Sequence, residues 1–203
     1  MKSIVVYCGS SSGKNPIYAQ QAYALGEALA NRAIRVIYGG GNMGLMGKVA
    51  NGAIENEGLV TGIIPNFLAK LEVAHNTLTE LHLVDTMHER KAKMVSVSDA
   101  VIALPGGYGT FDELFEILTW AQLKIFSGPI GLLNVNGYYD LLLLQLDKMV
   151  EEGFLHPSNK ELLLVDTDIA GLLSQMEAYI SKQGENKNLD RTLYIEDGKQ
   201  KPE

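Results

Sequence analysis

Short apolar, β-branched runs alternate with longer helical patterns along nearly the whole chain, and this alternation constrains the fold more than any other feature. The runs Ser3–Cys8, Ile34–Tyr38, Leu59–Ile64, Leu81–Val84, Ala100–Leu104, Ile130–Asn134 and Leu162–Val165 read as strands. Helices are predicted near Pro16–Arg32, Leu45–Glu57, Met87–Ser96, Phe111–Ile125, Tyr138–Glu152 and Asp168–Ser181. Several strands are almost wholly apolar, as expected when helices cover both faces of a sheet. Right-handed βαβ crossovers then predict an α/β fold with a doubly wound, mostly parallel sheet. The chain has 203 residues, 46% of them hydrophobic, enough for one sizeable core, so residues 1–181 are expected to form a single domain. The polar stretch 182–203 is expected to be a mobile tail.

In an open sheet of this kind, ligands bind beyond the carboxyl ends of the strands. Four loops lie there. Cys8-Gly9-Ser10-Ser11-Ser12-Gly13 is either a tight Ser/Gly turn or a donor-rich contact for a phosphate or sugar. It also matches G-x-S-x-G at Ser11, which would need a later Asp and His in triad geometry. Gly39, Gly41 and Gly44 fit G-x-G-x-x-G, but the next strand ends Ile63-Ile64-Pro65 without the acid that holds a dinucleotide ribose. That loop is therefore a cradle for a smaller ligand or a turn that lets a helix pack tightly.

The third loop leads into Thr86-Met87-His88-Glu89-Arg90-Lys91-Ala92-Lys93. Thr86 and Glu89 have capping-box spacing, so a helix is expected to start here. Arg90, Lys91 and Lys93 then fall in its first turns, where the helix dipole disfavours cations; they form either a solvated basic face, the reading that suits Lys93, or a contact for an anionic partner, to which Arg90 points. The fourth loop, Pro105-Gly106-Gly107-Tyr108-Gly109-Thr110-Phe111-Asp112-Glu113, joins an apolar strand to a helix. A glycine-rich turn at a helix start presents N–H groups to phosphate. Thr110 and Glu113 again have capping-box spacing, so Glu113 is either a cap or an acid with chemistry to do. Asp112 reads as support for the dipole.

Net charge is −7, which argues against binding nucleic acid or anionic membrane through overall charge. No apolar run approaches the length of a membrane span, and the short N-terminal run is no signal peptide. The single cysteine, Cys8, excludes an internal disulfide framework and fits a reducing, cytoplasmic setting. The four histidines show no metal-site spacing, and no lysine setting suggests pyridoxal phosphate. Neither a metal nor a cofactor is expected. The run Leu141-Leu142-Leu143-Leu144 reads as a core helix or a subunit contact.

Taken together, PGGYGTFDE, the preceding MHERK and the upstream YGGGNMGLMG resemble the Lonely Guy family of cytokinin-activating phosphoribohydrolases, with CGSSSG and LTWAQL also in keeping. The resemblance runs from about Ser3 to Ile180. Members often carry the label lysine decarboxylase, for which this sequence has no cofactor-lysine motif. The resemblance implies a Rossmann-like homodimer that hydrolyses the N-glycosidic bond of N6-modified adenosine 5′-monophosphates to free base and ribose 5-phosphate. By motif position it implies Arg90 and Glu113 as the catalytic pair and Gly107, Tyr108, Gly109 and Thr110 as the phosphate loop. Lys91, Glu72 and Thr119 would be further substrate contacts, with Asp112, Gly41 and Ser10 also at the site. Met43, Met46 and Trp120, or a partner subunit, are candidate walls for the N6 substituent. Two other readings of the same cradle are hydrolysis of plain AMP or related nucleotides, and a carrier that binds without chemistry.

Overall fold

The computed structural model describes residues 1–69, 75 and 77–182. Seven strands form one sheet: β1 (Ser3–Tyr7), β2 (Arg35–Tyr38), β3 (Val60–Pro65), β4 (Glu80–Val84), β5 (Ala100–Ala103), β6 (Ile130–Leu133) and β7 (Leu163–Asp166). Their order is β4-β3-β2-β1-β5-β6-β7. Every pairing is parallel, one step further than the mostly parallel sheet expected.

Alternation along the central strands divides the interior into two layers, because successive side chains point to opposite faces. Ile4, Val6, Ala100 and Ile102 join a core with α1 (Pro16–Ala30), α2 (Gly44–Ile54) and the helix at 169–182. Val5, Tyr7, Val101 and Ala103 face the other way, toward α4 (Met87–Ser96), α5 (Tyr108–Gln122) and α6 (Asp140–Glu151). With both faces covered, β5 is apolar at every position and β1 at every position after Ser3. Two single-turn helices, α3 (Asn66–Ala69) and α7 (Pro157–Lys160), complete the set.

The chain winds outward from β1 in one direction through β2, β3 and β4, and in the other from β5 through β6 and β7. The two halves part between β1 and β5, so the loops that follow these strands diverge to opposite faces and leave a crevice between them. This is the topological switch point, where doubly wound sheets take their ligands. Gly9 N–H donates to the Pro105 carbonyl at 3.0 Å across it, joining the two loops.

Candidate active site

Pro105 to Gly107 turn the chain out of β5, and α5 begins at Tyr108 with Gly107 as its N-cap. Glycine supplies no capping side chain, so Thr110 lies within the first turn and Glu113 nearly two turns inside the helix. The capping-box reading of Glu113 is thereby overturned: the glycine turn starts the helix three residues before Thr110. At α4 the Thr86 cap does form, with its hydroxyl accepting from Glu89 N–H at 3.1 Å. Glu89 reaches back one residue further than a capping box requires, accepting from Asp85 N–H at 3.0 Å.

The polar groups of the β5–α5 loop divide by type. Four successive carbonyls are all engaged. Leu104 accepts from the Tyr139 hydroxyl, Pro105 from Gly9 N–H, Gly106 from the Tyr138 hydroxyl and Gly107 from Phe111 N–H. By contrast, none of the N–H groups of Gly106, Gly107, Tyr108, Gly109 and Thr110 is given to an acceptor among the described residues. Successive free donors at the positive end of a helix can take an anion with several oxygens.

Beside this row lie two buried charges. Arg90 from α4 and Glu113 from α5 are each 8% exposed, and Arg90 Nη2 stands 3.7 Å from Glu113 Oε1. That separation is long for a charge-assisted hydrogen bond. Arg90 Nη1 faces the Met87 sulfur at 3.8 Å, and its Nε meets no acceptor within the described chain. A buried guanidinium so weakly matched internally is suited to a further acceptor. Burial pushes the Glu113 carboxyl up to about 7, and neighbouring Arg90, which favours the ionised form, only partly opposes this. The acid is thus poised to gain or lose a proton near neutrality. Burial and then Glu113 push the Cys8 thiol well above its usual range, so Cys8 is no nucleophile.

A cavity of about 300 Å³ collects these groups. Of the residues expected at the site, Ser10, Arg90, Gly107, Tyr108, Gly109, Thr110, Asp112 and Glu113 line it. A second hollow of about 290 Å³, lined by Gly9 to Gly13, Tyr18 and Tyr138 among others, shares Gly9, Ser10 and Gly107 with the first. Ser11 belongs to this second hollow and bonds to no histidine among the described residues.

Other expected residues stand apart from the cavity. Lys91 is buried but turned to α5, where Nζ pairs with Asp112 at 3.1 Å and Glu116 at 3.0 Å. Thr119 donates to the Phe115 carbonyl and lines an apolar groove with Leu118, Leu146 and Met149. Gly41 is buried and outside the lining, and Glu72 lies outside the described residues. The close approaches of the glycine-rich β2–α2 loop are to the chain itself. A Cβ on Gly39 would overlap Arg90 Nη2, so this glycine makes room for the guanidinium. Gly44, at φ +62°, lets its backbone press on that of Ser10.

Leu68 and Met87 also line the cavity without a signal of their own in the sequence, whereas Cys8 and Gly9 line it as part of the first strand-end loop. Met46 lines the cavity as expected of a substituent wall, whereas Met43 and Trp120 do not.

A parallel doubly wound sheet, with a row of free N–H donors and a buried acid at its switch point, defines the class as a Rossmann-like α/β fold. Residues 46–176 match the family described as "Possible lysine decarboxylase". The chain is 47% identical over 178 residues to cytokinin riboside 5′-monophosphate phosphoribohydrolase LOG7 of Arabidopsis thaliana, covering 88% of this chain and 82% of that protein. It is equally similar, at 47% over 179 residues, to the probable enzyme of the same name, LOGL9, of Oryza sativa subsp. japonica, covering 88% of this chain and 79% of the relative. The chain belongs to this Lonely Guy family. Among solved structures, the molybdenum cofactor binding protein of Rippkaea orientalis superposes with a TM-score of 0.67 at 23% identity, over 89% of this chain and 98% of the other. The Moco carrier protein of Chlamydomonas reinhardtii gives 0.64 at 18% identity, over the same shares. These two likenesses show the fold.

Proposed function

We propose that this chain is a phosphoribohydrolase that cleaves the N-glycosidic bond of N6-modified adenosine 5′-monophosphates, yielding free base and ribose 5-phosphate. The observation that carries this reading is the row of free N–H groups from Gly107 to Thr110, which lines one cavity with the buried Arg90–Glu113 pair. The row takes the 5′-phosphate, and binding there holds the ribose in place, so that remote affinity becomes orientation at the reacting carbon. Glu113, as carboxylate, faces the positive charge that develops on the sugar as the bond to the base breaks. It also orients the water whose oxygen adds to the anomeric carbon and takes up the proton that this water releases, while the base departs with the bonding electron pair and gains a proton in return, so that it leaves neutral. Arg90 holds substrate and offsets negative charge while the bond breaks. Met46, Leu68 and Met87 supply an apolar wall suited to an N6 substituent.

Incubation with AMP and with isopentenyl-AMP, followed by chromatography of released base, tests the proposal. Base from the modified nucleotide in preference to AMP supports it. Equal release makes the chain a general nucleotide hydrolase, and no release from any nucleotide monophosphate makes it a carrier.

We take residues 1–181 as the unit that carries this activity, and we place it in the cytoplasm, where its free buried Cys8 is at home. None of the described helices is long and apolar enough to cross a membrane. We further propose a homodimer. Of the leucine run, Leu142 and Leu143 pack on the core while Leu141 and Leu144 remain exposed, as do Phe154, Leu123 and Ile125. Thr119, facing the groove near these residues, would reach substrate only from a partner subunit. Light scattering of the purified chain gives twice the monomer mass if this is right.

A further inference from the structure

We propose that Tyr138 is a positioning residue for the phosphate loop, which it aims by holding the Gly106 carbonyl; this rests on the reading of that loop as the phosphate receptor. The Tyr138 hydroxyl donates to Gly106 O at 2.5 Å. The peptide between Gly106 and Gly107 is trans, so its N–H points opposite to its C=O. Fixing the carbonyl on the Tyr138 side therefore turns the Gly107 N–H to the opposite side of the peptide, at the residue that lines both the hollow beside Tyr138 and the Arg90–Glu113 cavity. Without that bond the peptide would be free to rotate, because glycines flank it on both sides and their φ/ψ are the least restricted of any residue.

The brace is itself built. Asn136 and Gly137 both take positive φ after β6, at 52° and 69°, which reverses the chain sharply before α6. Buried Asn134 holds the turn, accepting from Tyr139 N–H at 2.7 Å and donating to Asp140 at 2.7 Å. Tyr139 is buried and donates its hydroxyl to Leu104 O at 2.7 Å. Tyr138 stacks edge-on against Tyr139 at 4.9 Å and Tyr18 at 5.8 Å between ring centres. Its ring is thus seated between two others while its hydroxyl reaches the loop. The two tyrosines have separate duties: Tyr139 secures the end of β5 from within the core, and Tyr138, 41% exposed at the crevice, sets the peptide that follows.

Tyr138→Phe keeps the ring stack and removes the one hydrogen bond. In calorimetry, its Kd for ribose 5-phosphate is expected to rise about five- to tenfold, the worth of one hydrogen bond lost. The KM for the nucleotide rises in step. Inhibition by adenosine, which lacks the phosphate, stays at the wild-type value, and the melting temperature falls by no more than about 4 °C, as one lost hydrogen bond costs in a chain of this size. Unchanged ribose 5-phosphate affinity, or an equal loss for adenosine, overturns the inference. Wild-type protein that fails to bind ribose 5-phosphate overturns it as well. If the wild type binds ribose 5-phosphate but releases no base, while Tyr138→Phe binds it more weakly, the hydrolase reading fails and the role of Tyr138 stands.

Discussion

Replacing Glu113 with Gln is expected to make the protein more stable at alkaline pH while abolishing turnover. Glutamine resembles the protonated acid in shape and charge, so it stands for Glu113 with its proton retained. Folding lifts this carboxyl from 4.5 to about 7, chiefly by burial. Between those values the folded protein binds more protons than the unfolded chain, so wild-type stability falls as pH rises through that window. Above it, the ionised carboxylate costs the wild type about 3 kcal/mol, at 1.36 kcal/mol for each pH unit of the lift. Arg90 has no carboxylate partner beside either Gln or the protonated acid, so that contribution cancels. Glu113→Gln should then melt roughly 6–12 °C above wild type near pH 8, for a chain of this size. The gap should close near pH 4.5. Turnover of a nucleotide monophosphate, followed by base release, should drop at least ~10²-fold with nucleotide binding kept. Equal melting temperatures at pH 8 would refute the burial argument, and near-normal turnover would refute the catalytic assignment.

Three further outcomes follow from the same geometry. The kcat/KM profile should rise with pH through about 7 as Glu113 loses its proton; Arg90→Met, by removing a charge that favours the carboxylate, should move this limb to higher pH. A limb that stays put in Arg90→Met would show that the two groups are not coupled. Gly39→Ala should lower kcat/KM about tenfold or more by displacing the Arg90 guanidinium, since misplacement of a site group by an ångström carries such losses; wild-type kinetics would count against it. Lys91→Met should leave KM within about twofold while lowering stability by about 1 kcal/mol, because Lys91 ties α4 to Asp112 and Glu116 of α5. A large rise in KM with stability intact would restore Lys91 as a substrate contact.

Much of the frame is legible in the residue pattern alone. All seven strands lie within two residues of their expected bounds at either end, and α4 spans Met87–Ser96 as expected. The elements that leave no such pattern are short. α3 and α7 are single turns with no room for a 3.6-residue period, and α7 is capped by an unusual residue, His156, whose Nδ1 accepts from Ser158 N–H at 3.3 Å. α6 starts at Asp140 rather than Tyr138, because the positive φ of Asn136 and Gly137 delays it, and Asn is one of the few other residues that tolerates this conformation.

For the site, local signals located the loop and distance in the chain hid the rest. The apolar strand, the glycines and the helix that follows are contiguous, so the row of free N–H groups at Gly107–Thr110 could be read from a dozen residues. The state of Glu113 could not. Its burial depends on β1, α4 and α5 closing around it, and the lift of its carboxyl to about 7 is a sum over those elements. The same holds for its cationic neighbours. Arg90 and Lys91 are adjacent in sequence, and both read as candidate anion contacts. One helical step of about 100° sends Arg90 to Glu113 and Lys91 to Asp112 and Glu116. Tyr138 lies 32 residues beyond the carbonyl it holds, and no local pattern connects them. Hydrophobic period and turn chemistry are local, so residue order alone dictates the parallel sheet and the place of the glycine-rich β5–α5 loop. Which acid is buried, which cation meets it and which hydroxyl holds the loop carbonyl follow from folding, because desolvation and hydrogen-bond partnership belong to residues that it brings together.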